Sequence, residues 1–290
     1  MINSMTGFGS ADGDAGTAHV SVEVRSVNHR YFNPSLKLPT ELNRWEGEVR
    51  DAMRRAVSRG HVTLSARIDR RASDGGQIDE AQFAAYVDQL RRLQDRHLLG
   101  TTLEVGAILR LPNVIVSSAE EATGSASELV AIVERALAML NDMRAAEGAR
   151  LAAYLRERLS LIEAAVERIA SRAPARLVEQ RDRLRAAVQE LANGVALDEQ
   201  RLAQEIAVLA DRLDVSEEIS RFHSHFAAFR ATLDRPPAEG VGKRLGFLLQ
   251  ELLREANTTG SKANDAAMLG DVIVIKEELE RIREQVENLE

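Results

Sequence analysis

Residues 125–143 read SASELVAIVERALAMLNDM, and the spacing of their apolar side chains decides how the rest of the chain divides. Leu129, Ile132, Val133, Ala136, Leu140 and Met143 recur at intervals of mainly three and four residues, the period of a helix with one buried face. The stripe resumes beyond Gly148 with Leu151, Leu155, Leu159 and Ile162, which predicts one very long helix or two stacked ones. Pro174 is expected to end it, because an interior proline removes a backbone hydrogen bond and strikes the preceding turn. A new helix is expected over residues 176–191, closed by Gly194. Helices of this length without a sheet around them form antiparallel hairpins, coiled coils or subunit contacts.

Upstream of residue 125 the period changes. In residues 19–28 (HVSVEVRSVN), Val20, Val22 and Val24 alternate with Ser21, Glu23 and Arg25, the pattern of a half-buried strand. Residues 61–68 (HVTLSARI) alternate in the same way, and Leu36 with Leu38, set between Pro34 and Pro39, marks another extended piece. Residues 4–9 (SMTGFG) are expected to lead through a Gly/Asp-rich turn into the first strand. Thr40 reads as the cap of a helix over residues 42–57, with further helices over 81–98 and 103–109 and a loop over 70–77. Downstream, residues 233–242 hold Pro236, Pro237 and two glycines and read as a linker, followed by a second site helix that begins in the stretch 242–262 and a terminal helix over 266–289. The fold class is therefore α+β. A small mixed α/β amino-terminal domain (1–122) precedes a long helical hairpin region (123–235) and a helical carboxy-terminal region (236–290).

Composition narrows the chemistry. Among 290 residues there is no cysteine, which excludes disulfides, thiolate zinc sites and a cysteine nucleophile. The start lacks a basic segment followed by an apolar run, and roughly 18 apolar residues never occur in succession, so a cytoplasmic protein without a membrane partner is expected. The net charge is −7. Residues 1–75 carry eleven Lys and Arg against nine Asp and Glu, a net of +2, which leaves −9 on the remainder. This asymmetry permits an anion-binding surface on the first part without requiring one.

Two stretches concentrate functional groups. In residues 211–225, Asp211, Asp214, Glu218, Arg221 and His225 follow one another at three or four residues and would share an arc of roughly 80° on a single helix. A solvated stripe of ion pairs is the plain reading of such a face. Against it, aspartate is a poor interior helix former, and clustered carboxylates require a cation. His223 and His225, two residues apart, point about 200° away from each other on a helix and cannot grip one metal ion together. In residues 242–262, Arg244, Glu251 and Glu255 fall within about 40° of one another, beside an apolar face of Leu245, Leu248, Leu249, Leu252 and Ala256. The segment that follows, 257–262 (NTTGSK), reads either as a phosphate-binding turn or as an ordinary helix-ending loop. It lacks the glycine spacing and preceding strand of a P-loop. Finally, residues 25–31 (RSVNHRY) bring Arg25, Asn28, His29, Arg30 and Tyr31 together. Such a set suits single-stranded RNA, and equally a polar hairpin end.

Four separated motifs, SMTGFG, VEVRSVNHRY, DVSEEISRFHSH and GKRLGFLLQELLREANTTGSK, occur in order, and with them the whole chain resembles the YicC/YloC family of bacterial endoribonucleases. The family pattern is filled at Asp214, Val215, Glu217, Glu218, Arg221 and His225, and again at Gly242, Arg244, Gln250, Glu251, Arg254, Glu255, Asn257, Thr258 and Lys262. The resemblance implies a cytoplasmic protein that cleaves or binds RNA, depends on a divalent metal, often manganese, with magnesium as the alternative, and forms a ring-like homohexamer enclosing RNA. It implies for some members an adaptor role in turnover by another nuclease, such as an exoribonuclease partner. Metal-assisted cleavage needs carboxylates for a hard cation, which would fall to Glu218, Glu251 and Glu255, with Asp214 next. Arg221 and Arg244 would meet the developing phosphate charge, and His225 would protonate the leaving oxygen or orient RNA. Arg25, Asn28, Arg30, Asn257, Thr258 and Lys262 would hold the RNA backbone. The alternatives are a non-catalytic RNA-binding adaptor and a structural coiled-coil assembly protein.

Overall fold

The computed structural model describes the chain except for residue 1 and residues 70–76, 99, 101, 117–123, 192–197 and 238–239. Two compact units are present: residues 8–140 form one, and residues 1–7 with 141–290 form the other.

In the unit of residues 8–140, four strands form one sheet: β1 (Gly7–Ala15), β2 (Ala18–Val27), β3 (Phe32–Lys37) and β4 (Gly60–Asp69), in the order β1-β2-β4-β3. β2 runs antiparallel to β4 with Val24 opposite Leu64, and β3 runs parallel to β4 with Leu36 opposite Leu64. A 3-10 turn (Thr40–Trp45) and helix α1 (Glu46–Ala56) make the crossover that a parallel pair requires. Val20, Val22, Val24, Val62 and Leu64 point inward as their alternation predicts. They meet Leu42, Val49 and Met53 of the crossover and Leu129, Val133 and Leu140 of the next long helix. Two residues each make a second small sheet, β5 (Gln77–Ile78) with β6 (Ile115–Val116), and α2 (Glu80–His97) and α3 (Val105–Ile108) lie between them in sequence.

β1 departs from expectation, since the segment read as a Gly/Asp-rich turn is a nine-residue strand. Its glycines serve close approach: a Cβ on Gly9 would stand 2.1 Å from the carbonyl oxygen of Ala136, and one on Gly13 would strike Arg135 and Ile132. With Ala11 and Ala15 on the same side of the strand, β1 presents a nearly bare backbone to the long helix. The alternation is present but carried by small residues, which a hydrophobicity pattern does not register.

That long helix, α4, runs from Ala126 to Leu191, 66 residues with Pro174 inside it. The expected end at Pro174 and new start at residue 176 do not occur. One backbone bond is lost, but Ile169 before the proline and Arg176 after it are both buried, so packing holds the helix from either side. The proposed stop at Gly194 lies outside the described residues, as does most of the loop expected over 70–77.

In the other unit, α4 beyond residue 141 is followed by α5 (Glu199–Leu213), α6 (Ser216–Asp234), α7 (Val241–Ala263) and α8 (Ala266–Val286). Leu155, Leu159, Ile162 and Val166 of α4 share a core with Phe222, Phe226 and Phe229 of α6, Leu245, Leu248 and Leu252 of α7, and Ile275 and Ile282 of α8. The SMTGFG segment begins here: Asn3 and Glu290 exchange backbone hydrogen bonds at 3.0 and 2.8 Å, and buried Arg144 donates to the Ser4 carbonyl at 2.8 Å. Gly148 admits this segment, because a Cβ there would stand 2.2 Å from the Ile2 carbonyl oxygen. Among the described residues no helix is long and apolar enough to cross a membrane.

Candidate functional site

Residues 211–225 are not one helix. α5 ends at Leu213, Asp214 and Val215 leave the helical path, and α6 begins at Ser216. The cause is the aspartate. Its two carboxylate oxygens accept from the backbone N–H (2.9 Å) and the hydroxyl (2.8 Å) of Ser216, a local turn that competes with helix continuation. These hydrogen bonds, Ser216 N–H first, hold the Asp214 carboxyl below its ordinary value, with smaller contributions from Lys262 and Arg176. Asp211 therefore belongs to the last turn of α5, Asp214 to the break, and only Glu218, Arg221 and His225 share a face of α6.

That face packs on α7 through a crossed pair of ion pairs. Glu218 and Arg221, one turn apart on α6, face Lys262 and Glu255, two turns apart on α7. Lys262 Nζ donates to Glu218 Oε1 at 2.7 Å, and an Arg221 Nη lies 3.5 Å from Glu255 Oε1. Both carboxylates are nearly inaccessible, Glu218 at 4% and Glu255 at 2% exposure, whereas Arg221 stays exposed and also pairs with Glu217. Between Glu255 and Lys262 on α7 lies Thr259, 1% exposed. Thr259 Oγ1 and Glu218 Oε2 are buried without a hydrogen-bond partner among the described residues. Buried polar atoms without partners are unusual in a packed interior, and one on each of the two facing helices suits a site that receives something.

Residues 257–262 are helical rather than a turn or loop. α7 continues to Ala263 and is closed by Asn264 in the left-handed region, φ 38°. Two of the three hydroxyls of the segment are spent on the helix: Thr258 donates to the Arg254 carbonyl and Ser261 to the Thr258 carbonyl. Asn257 is exposed. Glu251, a turn before Glu255, is half-buried, and Arg244 is exposed with its guanidinium 5.8 Å from the Phe247 ring. His225 is half-buried one turn beyond Arg221, while exposed His223 lies 3.4 Å from Glu167 on α4.

A polar cavity of about 870 Å³ opens where the α5–α6 break meets the end of α7. Asp211, Arg212, Asp214, Glu217, Ser261 and Lys262 line it, so both sequence-singled stretches contribute. Among the described residues, no group of three or more His, Asp or Glu side chains is arranged to hold a metal ion. Of the four expected ligands, Asp214 is committed to Ser216. Glu218 and Glu255 are the buried pair, and Glu218 alone offers a buried oxygen without a partner.

Arg25, Asn28 and Arg30 belong to the other unit, at the end of β2 and in the turn before β3. Arg25 lies 3.4 Å from Glu23 and 5.3 Å from the Phe8 ring centroid, and Arg30 lies 5.2 Å from the ring of Tyr31, which is 63% exposed. Sequence reasoning missed two groups, Thr259 and Arg176. Thr259 was passed over because hydroxyls in NTTGSK suggested a turn, and Arg176 is one arginine among many on α4, with no local signal to single it out.

The family model described as "Endoribonuclease YicC-like, N-terminal region" matches residues 2–153, and that described as "Endoribonuclease YicC-like, C-terminal" matches residues 169–290. A protein of Clostridioides difficile (strain 630), "Probable endoribonuclease YicC", is 32% identical over 295 residues, covering 100% of both chains. Its namesake in Haemophilus influenzae (strain ATCC 51907 / DSM 11121 / KW20 / Rd) is 30% identical over 291 residues, again covering 100% of both. The α5–α6 break, the buried ion pairs and the end of α7 all fall within the second matched region, and the chain belongs to the YicC-like endoribonuclease family.

Proposed function

We propose that this protein is an endoribonuclease that cuts single-stranded RNA at the cavity between the α5–α6 break and the end of α7. The observation that carries this reading is the pair of buried carboxylates, Glu218 and Glu255, each facing a cation across the α6–α7 contact, with Glu218 Oε2 left unpartnered. The names of the relatives support it. Burying two carboxylates is costly unless something compensates them, and an unsatisfied oxygen on Glu218, whose partner Lys262 lines the cavity, suits an incoming group.

In this reading Lys262 and Arg221 bind the phosphate and meet the charge that develops on it. Half-buried His225 holds the proton for the leaving oxygen, and exposed Arg244 extends the positive margin. On the other unit, Arg25, Asn28 and Arg30, with Tyr31 as a stacking ring, bind single-stranded RNA. Glu218 fits a hard divalent cation through its free oxygen, with Glu255 as the second donor and Glu251 as a further candidate on α7. Sites for such ions often use one or two carboxylates and complete the shell with water and substrate phosphate. The ion, manganese in preference to magnesium, would supply phosphate polarisation and water activation. The protein acts in the cytoplasm as a ring-like homohexamer, and an exoribonuclease consumes the fragments.

The second reading, a non-catalytic RNA adaptor, is favoured by one observation: Lys262 and Arg221 already neutralise the two carboxylates within the chain. End-labelled single-stranded RNA, incubated with highly purified protein in manganese or in chelator, decides between them. Glu218→Gln and Glu255→Gln variants prepared identically control for contaminating nuclease. Manganese-dependent cleavage lost in both variants while RNA binding persists supports the enzyme. Binding without cleavage in every sample supports the adaptor, and equal cleavage by all three proteins removes this site from the mechanism. Mass photometry of the same preparations tests the hexamer, which a monomer at working concentration would exclude.

A further inference from the structure

Arg176 stands two residues past Pro174 in α4 and is 2% exposed. Its guanidinium donates to three backbone carbonyls: Nη1 to Lys262 at 2.9 Å and to Ala263, and Nη2 to Leu213. Among the described residues it pairs with no carboxylate. Leu213 is the last residue of α5 and Ala263 the last of α7, so the cation sits at two helix C-termini, whose partial negative charge compensates it. Burial is nevertheless the largest influence on this group and pushes its pKa down. Arg172, one turn earlier, provides the contrast. It is held by both oxygens of Glu179 at 2.7 Å and by Asp265 at 2.9 Å.

We infer that Arg176 is the positioning residue of the candidate site, fixing the α5–α6 break and the end of α7 in one register. The Leu213 carbonyl directly precedes Asp214, and the Lys262 carbonyl belongs to the residue whose ammonium neutralises Glu218. One rigid fork therefore spans the two chain segments that line the polar cavity. An apolar side chain would fasten α4 to the core without dehydrating a charge. It could not donate to two helix ends at once, which the planar guanidinium does. The inference rests on the reading of this cleft as the RNA-cleaving site.

A second, largely apolar cavity of about 550 Å³ opens beside the guanidinium, with Ala173, Pro174, Leu177 and Ile219 among its walls. A small cation can thus reach the vacancy that Arg176→Ala would leave, which makes chemical rescue a direct test. The full-length protein, Arg176→Met and Arg176→Ala are compared by amide hydrogen exchange over residues 213–218 and 259–265, by RNA affinity, and by single-turnover cleavage. Arg176→Met keeps the bulk but none of the donors. It is expected to bind RNA within about twofold of wild type, to cut roughly 10–100-fold more slowly, and to exchange faster at both segments together. Guanidinium chloride at low millimolar concentration, far below denaturing, should restore protection and rate to Arg176→Ala and leave Arg176→Met unchanged, because methionine fills the space. Wild-type cleavage by Arg176→Met, faster exchange at only one segment, or failure of guanidinium to restore protection each overturns the inference. If Arg176→Ala does not fold, Arg176→Lys replaces it. Lysine keeps the charge but not the planar fork, so protection should fall below wild type at one segment at least, and full retention at both refutes the proposal. If wild type itself does not cut RNA, the functional reading falls, while the exchange data still decide whether Arg176 couples the two segments.

Discussion

Replacing Lys262 by Met tests whether the α6–α7 ion pairs are structural necessities of the site. Glu218 is 4% exposed, its Oε1 receives one hydrogen bond, from Lys262 at 2.7 Å, and its Oε2 receives none. The substitution therefore leaves a buried carboxylate with no partner among the described residues. Stranding one member of a buried pair costs about 3–5 kcal/mol. The Lys262 side chain is 29% exposed, so water can reach part of the vacated space, and the lower end, about 3 kcal/mol, is expected here. For a unit of this size that corresponds to a fall in Tm of about 5–10 °C. Urea unfolding of wild type, Lys262→Met, Glu218→Gln and the double variant closes a thermodynamic cycle. Because the amide keeps the shape without the charge, the double variant should recover most of the loss, with a coupling of about 2 kcal/mol. A Lys262→Met variant within about 0.5 kcal/mol of wild type, or additive single changes, would refute the argument that the pair exists to compensate a buried charge.

Gly9→Ala puts a methyl group 2.1 Å from a backbone oxygen of α4 that cannot swing aside. A loss of about 3 kcal/mol is expected, read by fluorescence of the sole tryptophan, Trp45, which lies in the same unit. Asp214→Ala should lower stability by about 1 kcal/mol near neutral pH through loss of the Ser216 hydrogen bonds. Since the folded carboxyl titrates below its ordinary 3.8, the wild-type advantage is complete above that pH and fades as pH falls through the folded value. Stability curves of variant and wild type should accordingly converge in acid, and a constant gap would exclude the carboxylate as its source. Pro174→Ala restores one α4 hydrogen bond but loosens the unfolded chain, so a net gain of about 1 kcal/mol is expected by denaturant titration, with RNA cleavage unchanged.

Much of the fold was legible because side-chain size and period carry it: the valines of β2 and β4, the stripe of α4 and the leucines of α7 each point where their spacing says. What was hidden lay in contacts that period cannot express. Gly9 and Gly148 are placed by the backbone that approaches them, and Pro174 is tolerated because Ile169 and Arg176 on either side are buried. Residues 211–225 show the same limit at the site. Aspartate was read correctly as a poor helix former, yet its consequence, a break that turns Asp214 into a capping group, needed the Ser216 bonds to be seen.

The break also explains why the acidic residues divide into two kinds. Had α5 and α6 been continuous, Asp214, Glu218 and Arg221 would share one face and neutralise one another locally, as surface stripes do. Interrupting the helix at Asp214 starts α6 afresh, so that Glu218 in its first turn points into the α7 contact and must find its cation on another element. Lys262 provides it, and Lys262 is set by the C-terminus of α7, where Arg176 grips the backbone. A chain of dependencies thus runs from one aspartate through the start of α6 to a lysine 48 residues later. Residues from both conspicuous stretches of sequence line the same polar cavity, so moving any one of these groups changes what faces it.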